Sequence, residues 1–209
     1  MGCGTGRLAY GLIREGAKFT GIDNSAALLA LANKKLKGIG TKPTLHISNM
    51  SNFNLYKKFD LIFIGFNSFL HLLTDNDALS CFKSVKKHMH QSTRFLIDIF
   101  IPNPLFLYKP DNMRIRVLEY IDSGSGKKIV VDEISSFNSK NDINNITWYF
   151  SHKEKKDFCI EKFSMKMYFP SKMNQLITDA GYTIVHQWGD YNRSPIGECS
   201  KLQIYDVRI

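Results

Sequence analysis

Along the chain the spacing of apolar positions changes period, and the changes mark out its elements. From Thr5 to Glu15, Leu8, Leu12 and Ile13 fall on one side of a helix that stops at Gly16. Lys18 to Ile22 reads as a short buried strand ending in Asp23. Asn24 or Ser25 then caps a second helix reaching about Lys37, with Leu28, Leu29, Leu31, Ala32 and Leu36 apolar. Thr44 to Ile47 is a brief strand, and Phe59 to Ile64, the most apolar stretch, reads as a strand buried on both faces of a parallel sheet. Thr74 caps a third helix, with Asp77 as its capping-box partner and Leu79, Phe82, Val85 and Met89 as its core stripe. Arg94 to Phe100 is the next strand, before Pro102 and Pro104 break the pattern.

From Met113 to Phe169 the period becomes two. Ile115, Val117 and Ile121 alternate with Arg114, Arg116 and Tyr120, and Ile129 and Val131 follow. Ile146, Trp148 and Phe150 form a third alternating run, and Phe163, Met165, Met167 and Phe169 a fourth. Turn-rich segments at Asp122 to Gly126, Ser139 to Asn145 and His152 to Asp157 separate them, which predicts a four-stranded antiparallel insert. Pro170 or Ser171 opens a last helix, striped by Met173, Leu176, Ile177 and Ala180, and the strand-like Tyr182 to Trp188 and Lys201 to Arg208 close the chain. The expected fold class is α/β: a Rossmann-like, doubly wound mixed sheet over residues 1–104, an antiparallel insert over 105–169, and a helix and β-hairpin over 170–209 that complete the core sheet.

Composition sets limits on this picture. With 209 residues, 44% hydrophobic and 12% aromatic, the chain has enough apolar mass for a large core and an inserted subdomain. No apolar run approaches the roughly 20 residues that span a bilayer, and no signal peptide precedes Gly2, so no membrane partner is expected and the expected location is the cytoplasm. Cys3, Cys81, Cys159 and Cys199 are far apart and lack any C-x-x-C pairing, which reads as reduced thiols and no metal site. A net charge of +9 permits nucleic acid, but the basic residues are scattered: Lys34, Lys35 and Lys37 at one helix end, Lys86 and Lys87 at another, and Lys153, Lys155 and Lys156 in a turn.

The chemistry is concentrated at Gly2-Cys3-Gly4-Thr5-Gly6. Three alternate glycines permit a sharp turn and close approach of a ligand to the main chain, and the following helix start presents free N–H groups. A carboxylate at the tip of the next strand, Asp23, is placed to accept from both hydroxyls of a ribose. The dinucleotide spacing G-x-G-x-x-G would put its third glycine at position 7, where Arg7 stands.

The form G-x-G-x-G with Asp23 after it resembles the S-adenosylmethionine (SAM) turn of the class I methyltransferases. The strand from Phe59, followed by Phe66-Asn67-Ser68-Phe69-Leu70-His71, is similar to their small-molecule type, including bacterial aminosugar N,N-dimethyltransferases. The resemblance implies that Gly2, Cys3, Gly4, Thr5 and Gly6 hold SAM together with Asp23 and Asn24. It implies that Asn49, standing where relatives usually carry Asp, and Met50 hold the adenine, and that Phe66 and Asn67 complete the cofactor contacts. It further implies a small-molecule acceptor, nitrogen favoured over oxygen, covered by the insert. His71 is the best acid/base candidate, Tyr168 a second catalytic candidate and Tyr149 an acceptor contact, while Arg114 and Arg116 are placed to hold an acidic group. Family members begin with a strand running into the glycine turn. Here only Met1 precedes Gly2, so the expectation is a truncated chain of reduced stability, prone to associate as an oligomer. The alternatives are an RNA-directed methyltransferase and a non-catalytic relative.

Overall fold

A computed structural model describes residues 1–209 and divides them into two compact units, Met1–Ile101 with Pro170–Ile209, and Pro102–Phe169. In chain order the elements are α1 (Arg7–Arg14), β1 (Thr20–Asp23), α2 (Ala26–Leu36), β2 (Thr44–Ile47), β3 (Leu61–Ile64), a 3₁₀ turn (Ser68–His71), α3 (Asp75–Lys87) and β4 (Arg94–Phe100). Then come α4 (Pro104–Leu107), β5 (Ile115–Ile121), β6 (Lys128–Asn138), β7 (Ile143–His152), β8 (Lys155–Lys166), α5 (Pro170–Asp179), β9 (Thr183–Trp188) and β10 (Leu202–Arg208). No helix is long and apolar enough to cross a membrane.

In the first unit the strands form two pieces. β1 and β2 pair in parallel, Thr20 opposite Thr44 through Asp23 opposite Ile47. The second piece has the order β3-β4-β10-β9, with β3 parallel to β4 and β10 antiparallel to both its neighbours. Between β1 and β3 no strand ladder runs. There the first residues of the chain bridge the gap: Cys3 N–H donates to Ile22 O at 3.0 Å, and the Met1 amine donates to Phe63 O at 2.7 Å. A cavity of about 520 Å³ occupies the remainder of the gap. This corrects the expectation that Phe59 to Ile64 is buried on both faces: Ile62 and Ile64 are buried, but Leu61 is 43% exposed because it lines that cavity.

Each helix is held by the chemistry its sequence offers. The Ser25 hydroxyl accepts from Leu28 N–H to cap α2, and Ala9, Ile13, Ala32 and Leu36 form the core between α1 and α2. At α3 the Thr74 hydroxyl accepts from Asp77 N–H at 3.0 Å and donates to the Asp77 carboxylate at 2.6 Å, so the Asp77 carboxylate braces the cap through the Thr74 hydroxyl. Phe82 of α3 sits among Phe69, Phe95 and Tyr182, with ring centroids 5.4 to 6.2 Å away, and the Tyr182 hydroxyl donates to Phe82 O. Burying each such ring stabilises by roughly 1.5–3 kcal/mol, which makes this cluster the anchor of the β4 side.

The second unit is an antiparallel meander, β5-β6-β7-β8 in sequence order. Several boundaries differ from expectation: β7 starts at Ile143, inside the segment Ser139 to Asn145 read as a turn, and β8 ends at Lys166, before Met167 and Phe169. β6 runs eleven residues, past the Ile129 and Val131 that the apolar pattern picks out, because polar Glu133 and Ser135 occupy its buried face. Trp148 Nε1 donates to Glu133 Oε2 at 2.9 Å across the β6–β7 pair. The segment read as a turn from His152 to Asp157 is a tight connection at Lys153 and Glu154, and Lys155 and Lys156 already belong to β8.

The first unit buries a charge on β10 whose loss is measurable. Asp206 of β10 is 1% exposed and accepts from Arg94 Nε at 3.1 Å and Nη2 at 2.7 Å. Arg94→Leu removes both hydrogen bonds to that carboxylate and leaves it only Arg208, at 3.9 Å, and is expected to lower stability by about 2–3 kcal/mol, reduced from the fully buried case because Arg94 is half exposed. The double variant Arg94→Leu with Asp206→Leu is expected to regain most of the loss. Urea unfolding of the three chains checks both outcomes.

Candidate cofactor site

The C-terminal ends of the parallel strands β1, β2 and β3 open on a cavity of about 580 Å³, within the range of small-molecule pockets. Its floor is the glycine turn. Gly4 and Gly6 have φ of +52° and +75°, a conformation that glycine adopts without strain. A side chain at Gly6 would meet Leu36 Cδ1 at 2.8 Å, so this glycine lets α1 pack on α2. One at Gly4 would meet nothing within 4 Å, because Gly4 faces the cavity.

Asp23 organises the turn. It is 8% exposed, its Oδ2 accepts from Gly4 N–H at 2.7 Å and its Oδ1 from Ser25 N–H at 2.9 Å. A carboxylate has about four acceptor positions, so two remain for hydroxyl donors in the cavity. Beside it Asn24 lines the same wall, with Asn49 and Met50 opposite and His71 at the end of the 3₁₀ turn, where it is exposed. The fold therefore brings together Gly2, Gly4, Asp23, Asn24, Asn49, Met50 and His71.

The remaining expected residues stand elsewhere. Thr5 and Gly6 continue the turn into α1, and the Cys3 sulfur lies against Gly21 of β1. Burial pushes the Cys3 thiol pKa up from its ordinary value. Asn49 Oδ1, expected to accept from an adenine amine, already accepts from Ser51 N–H and from the Ser51 hydroxyl, both at 2.9 Å. This local turn takes both lone pairs, and the side chain offers the cavity its NH₂ group. Phe66 and Asn67 do not line the cavity; they clamp strand ends. Asn67 Oδ1 accepts from Phe100 N–H at 2.8 Å, and Asn67 N–H donates to Asp98 O. The Phe66 ring lies 4.0 Å below the Arg7 guanidinium.

Tyr168 belongs to the second unit and is fully buried, its ring 5.7 Å from Lys166 Nζ. Tyr149 lies under the Arg114 guanidinium at 4.4 Å. Arg114 and Arg116 are not available for an acidic ligand group: Arg114 is paired with Asp157 and Asp132, and Arg116 with Asp132 and Glu119. Two features were absent from the sequence reading. Ser68 and the first turn of α3, through Asp77, line the cavity, a placement set by the 3₁₀ turn. Asp98, near the end of β4, accepts from the Tyr191 hydroxyl at 2.7 Å and from Phe66 N–H at 3.3 Å, a contact spanning 93 residues that no local pattern signals. Partial burial, then Asp98, push the Tyr191 hydroxyl up to about 12.

Residues 1–92 match the family described as the methyltransferase domain. Bacillus subtilis (strain 168) YqeM, named as a candidate methyltransferase, is 31% identical over 101 residues, 47% of this chain. That match spans 40% of the length of YqeM. Among solved structures, an S-adenosylmethionine-dependent methyltransferase from Clostridium acetobutylicum ATCC 824 superposes with a TM-score of 0.81 at 22% identity, covering 100% of this chain and 81% of that one. SAM-bound CalS10 from Micromonospora echinaspora, an amino pentose methyltransferase, superposes with a TM-score of 0.72 at 17% identity, covering 100% and 81%. The chain has the fold of the class I SAM-dependent methyltransferases, and its first 92 residues are similar to the methyltransferase domain family.

Proposed function

We propose that this chain transfers a methyl group from SAM to a small-molecule acceptor, at nitrogen. The observation that carries the reading is Asp23: a nearly buried carboxylate that holds the glycine turn through Gly4 N–H while keeping acceptor positions turned to a cavity of cofactor size. Gly4 fits the same reading, because it leaves open space over the main chain where a ligand can approach. The nitrogen acceptor is supported by the amino pentose methyltransferase among the similar folds.

SAM supplies an activated methyl group on a sulfonium; the C–S bond breaks as the C–N bond forms. The task of this chain is alignment. Holding donor and acceptor about 3–3.5 Å apart and in line contributes up to roughly 7–11 kcal/mol. Asp23 would hold the ribose hydroxyls and the glycine turn would let the main chain approach, which would restrict the cofactor to one orientation. An amine must lose its proton to attack, and His71, exposed on the cavity wall, takes that proton in this reading. A nucleic-acid acceptor is less well supported. Lys127 and Lys128, the basic residues at the start of β6, are paired with Glu154 and Glu119, as Arg114 and Arg116 are with other carboxylates.

Calorimetry with S-adenosylhomocysteine tests the cofactor assignment. The wild-type chain is expected to bind it, and Asp23→Asn to bind it about 10–100-fold more weakly through loss of a charged acceptor. Equal affinities for the two chains, or no binding by the wild type, overturn the reading. Gly4→Ala and Gly6→Ala separate the cavity from the fold. Gly4→Ala is expected to cost roughly 1–2 kcal/mol of stability from its left-handed backbone and to weaken S-adenosylhomocysteine binding. Gly6→Ala adds a collision with Leu36 and is expected to destabilise more, roughly 2–3 kcal/mol. Thermal unfolding beside calorimetry resolves the two. With a panel of amines as acceptors, His71→Asn is expected to leave S-adenosylhomocysteine binding unchanged and to lower methyl transfer about 10²–10⁴-fold. Unchanged transfer would remove His71 from the mechanism.

A further inference from the structure

Two side-chain oxygens of the second unit are buried without a partner. Glu133 is 6% exposed; its Oε2 accepts from Trp148 Nε1, but its Oε1 accepts from nothing in the chain. Asn144 is 3% exposed, and its Oδ1 is likewise unpaired. A buried acceptor that has lost its hydration and gained no hydrogen bond calls for a donor from outside the chain. The register puts both oxygens on one face of the sheet. Directly opposed residues of an antiparallel ladder share a face, which sets Ile115, Glu133, Trp148 and Glu161 in one row and Phe137, Asn144 and Met165 in another. Ser135, Ile146 and Phe163 form the row between them.

The surroundings of Glu133 specify that donor. On the same face the Trp148 ring meets Phe163 and Phe150 edge-on, with centroids 5.0 and 6.3 Å apart, and all three rings are half-buried. Aromatic faces attract cations, as a carboxylate does. Lys109 reaches this face but is engaged elsewhere: its Nζ donates to Ser135 Oγ and lies 4.2 Å from the Phe106 ring. Glu161, on the far side of Trp148 in the row, adds a second carboxylate. We infer that this face binds the ammonium group of an organic cation, with an N–H donated to Glu133 Oε1 and the alkyl carbons against Trp148, Phe150 and Phe163. Asn144 Oδ1 offers an acceptor to a further donor on the same ligand. A nitrogen held as ammonium has no lone pair with which to attack a methyl group, so the site binds and does not methylate. The inference rests on the second unit alone and is independent of the reading of the cofactor site.

The test titrates cyclohexylammonium into the full 209-residue chain, followed by calorimetry and by fluorescence of a Trp188→Phe variant, in which Trp148 is the only tryptophan. The expected result is one-to-one binding with a millimolar dissociation constant and a change in Trp148 emission. Cyclohexanol, of the same shape without the charge, is expected to bind the wild-type chain about 10-fold more weakly or worse. Glu133→Gln keeps an acceptor for Trp148 Nε1 and is expected to lower cyclohexylammonium affinity about 10–100-fold. Glu119→Gln removes a carboxylate from the opposite face of the sheet, where Glu119 stands across from Val130, and is expected to leave the affinity as in the wild type. Equal binding of cyclohexanol, equal affinity of a folded Glu133→Gln, or absence of cyclohexylammonium binding overturns the inference; the last result assigns the two unpaired oxygens to water. The cyclohexanol comparison decides the matter if Glu133→Gln does not fold. Failure of S-adenosylhomocysteine binding with cyclohexylammonium binding intact bears on the cofactor reading alone.

Discussion

The seam between β1 and β3 is the constraint on which the first unit depends. Two main-chain hydrogen bonds cross it, Cys3 to Ile22 and Met1 to Phe63, where a paired strand would place a full ladder. A second tie comes from the connection after β2. Phe53 stacks on the His88 ring with centroids 4.7 Å apart, Leu55 N–H donates to His88 Nε2, and His88 Nδ1 donates to Ser84 O. The buried histidine is therefore structural, a bracket between the β1–β2 piece and α3. The cavity beside the glycine turn draws Gly4, Asp23 and Asn24 from one side of the seam and Ser68 and His71 from the other, so its geometry is only as fixed as these ties.

Aspartates at strand ends shape the chain on both sides. Asp23 holds Gly4 and Ser25 by their N–H groups; Asp98 holds Phe66 N–H and the Tyr191 hydroxyl. Phe66 and Asn67 have φ of 52° and 62°, a conformation costing of order 1–3 kcal/mol each for residues other than glycine. Their bonds to Asp98, with Phe100 N–H donating to Asn67 Oδ1, offset that cost and fix the exit of β3. The 3₁₀ turn follows at once, which is how a strained pair outside the cavity determines where His71 stands within it.

What the sequence disclosed divides along the range of the interactions. Elements defined by local spacing were legible: the capped helices at Ser25 and Thr74, the strand ending at Asp23, and the alternating runs of the second unit. The proximity of the glycine turn and Asp23 was legible because both lie within 23 residues, and the fold brings them to one cavity wall. Side-chain partners were not. Asn49 was read as an acceptor for a ligand, but Ser51, two residues on, competes for the same lone pairs. Asn67 was read as a cofactor contact, but its partner Phe100 lies on the neighbouring strand. β6 was read short because its inward face carries Glu133, whose partner Trp148 is supplied by β7.

The arginines of the second unit show why net charge was a poor guide to partners. The chain carries +9, yet Arg114 lies between two carboxylates of its own sheet, reaching Asp157 at 2.5 Å and Asp132 at 3.1 Å. Those bonds, Asp157 first, raise the guanidinium pKa further, and Arg114 in return holds the Asp157 carboxyl below its ordinary value. The ring of Tyr149 beneath the guanidinium fixes its plane, and Ser151 donates to Asp157 Oδ1, so the pair is set within a network joining the residue just before β5 to β6, β7 and β8. A cation ordered in this way holds four strands in register, and a phosphate or carboxylate from outside would have to displace two bonded aspartates to reach it. The excess positive charge therefore resides with lysines at helix ends, such as Lys34 and Lys35 of α2 and Lys86 and Lys87 of α3, where the helix dipole favours it.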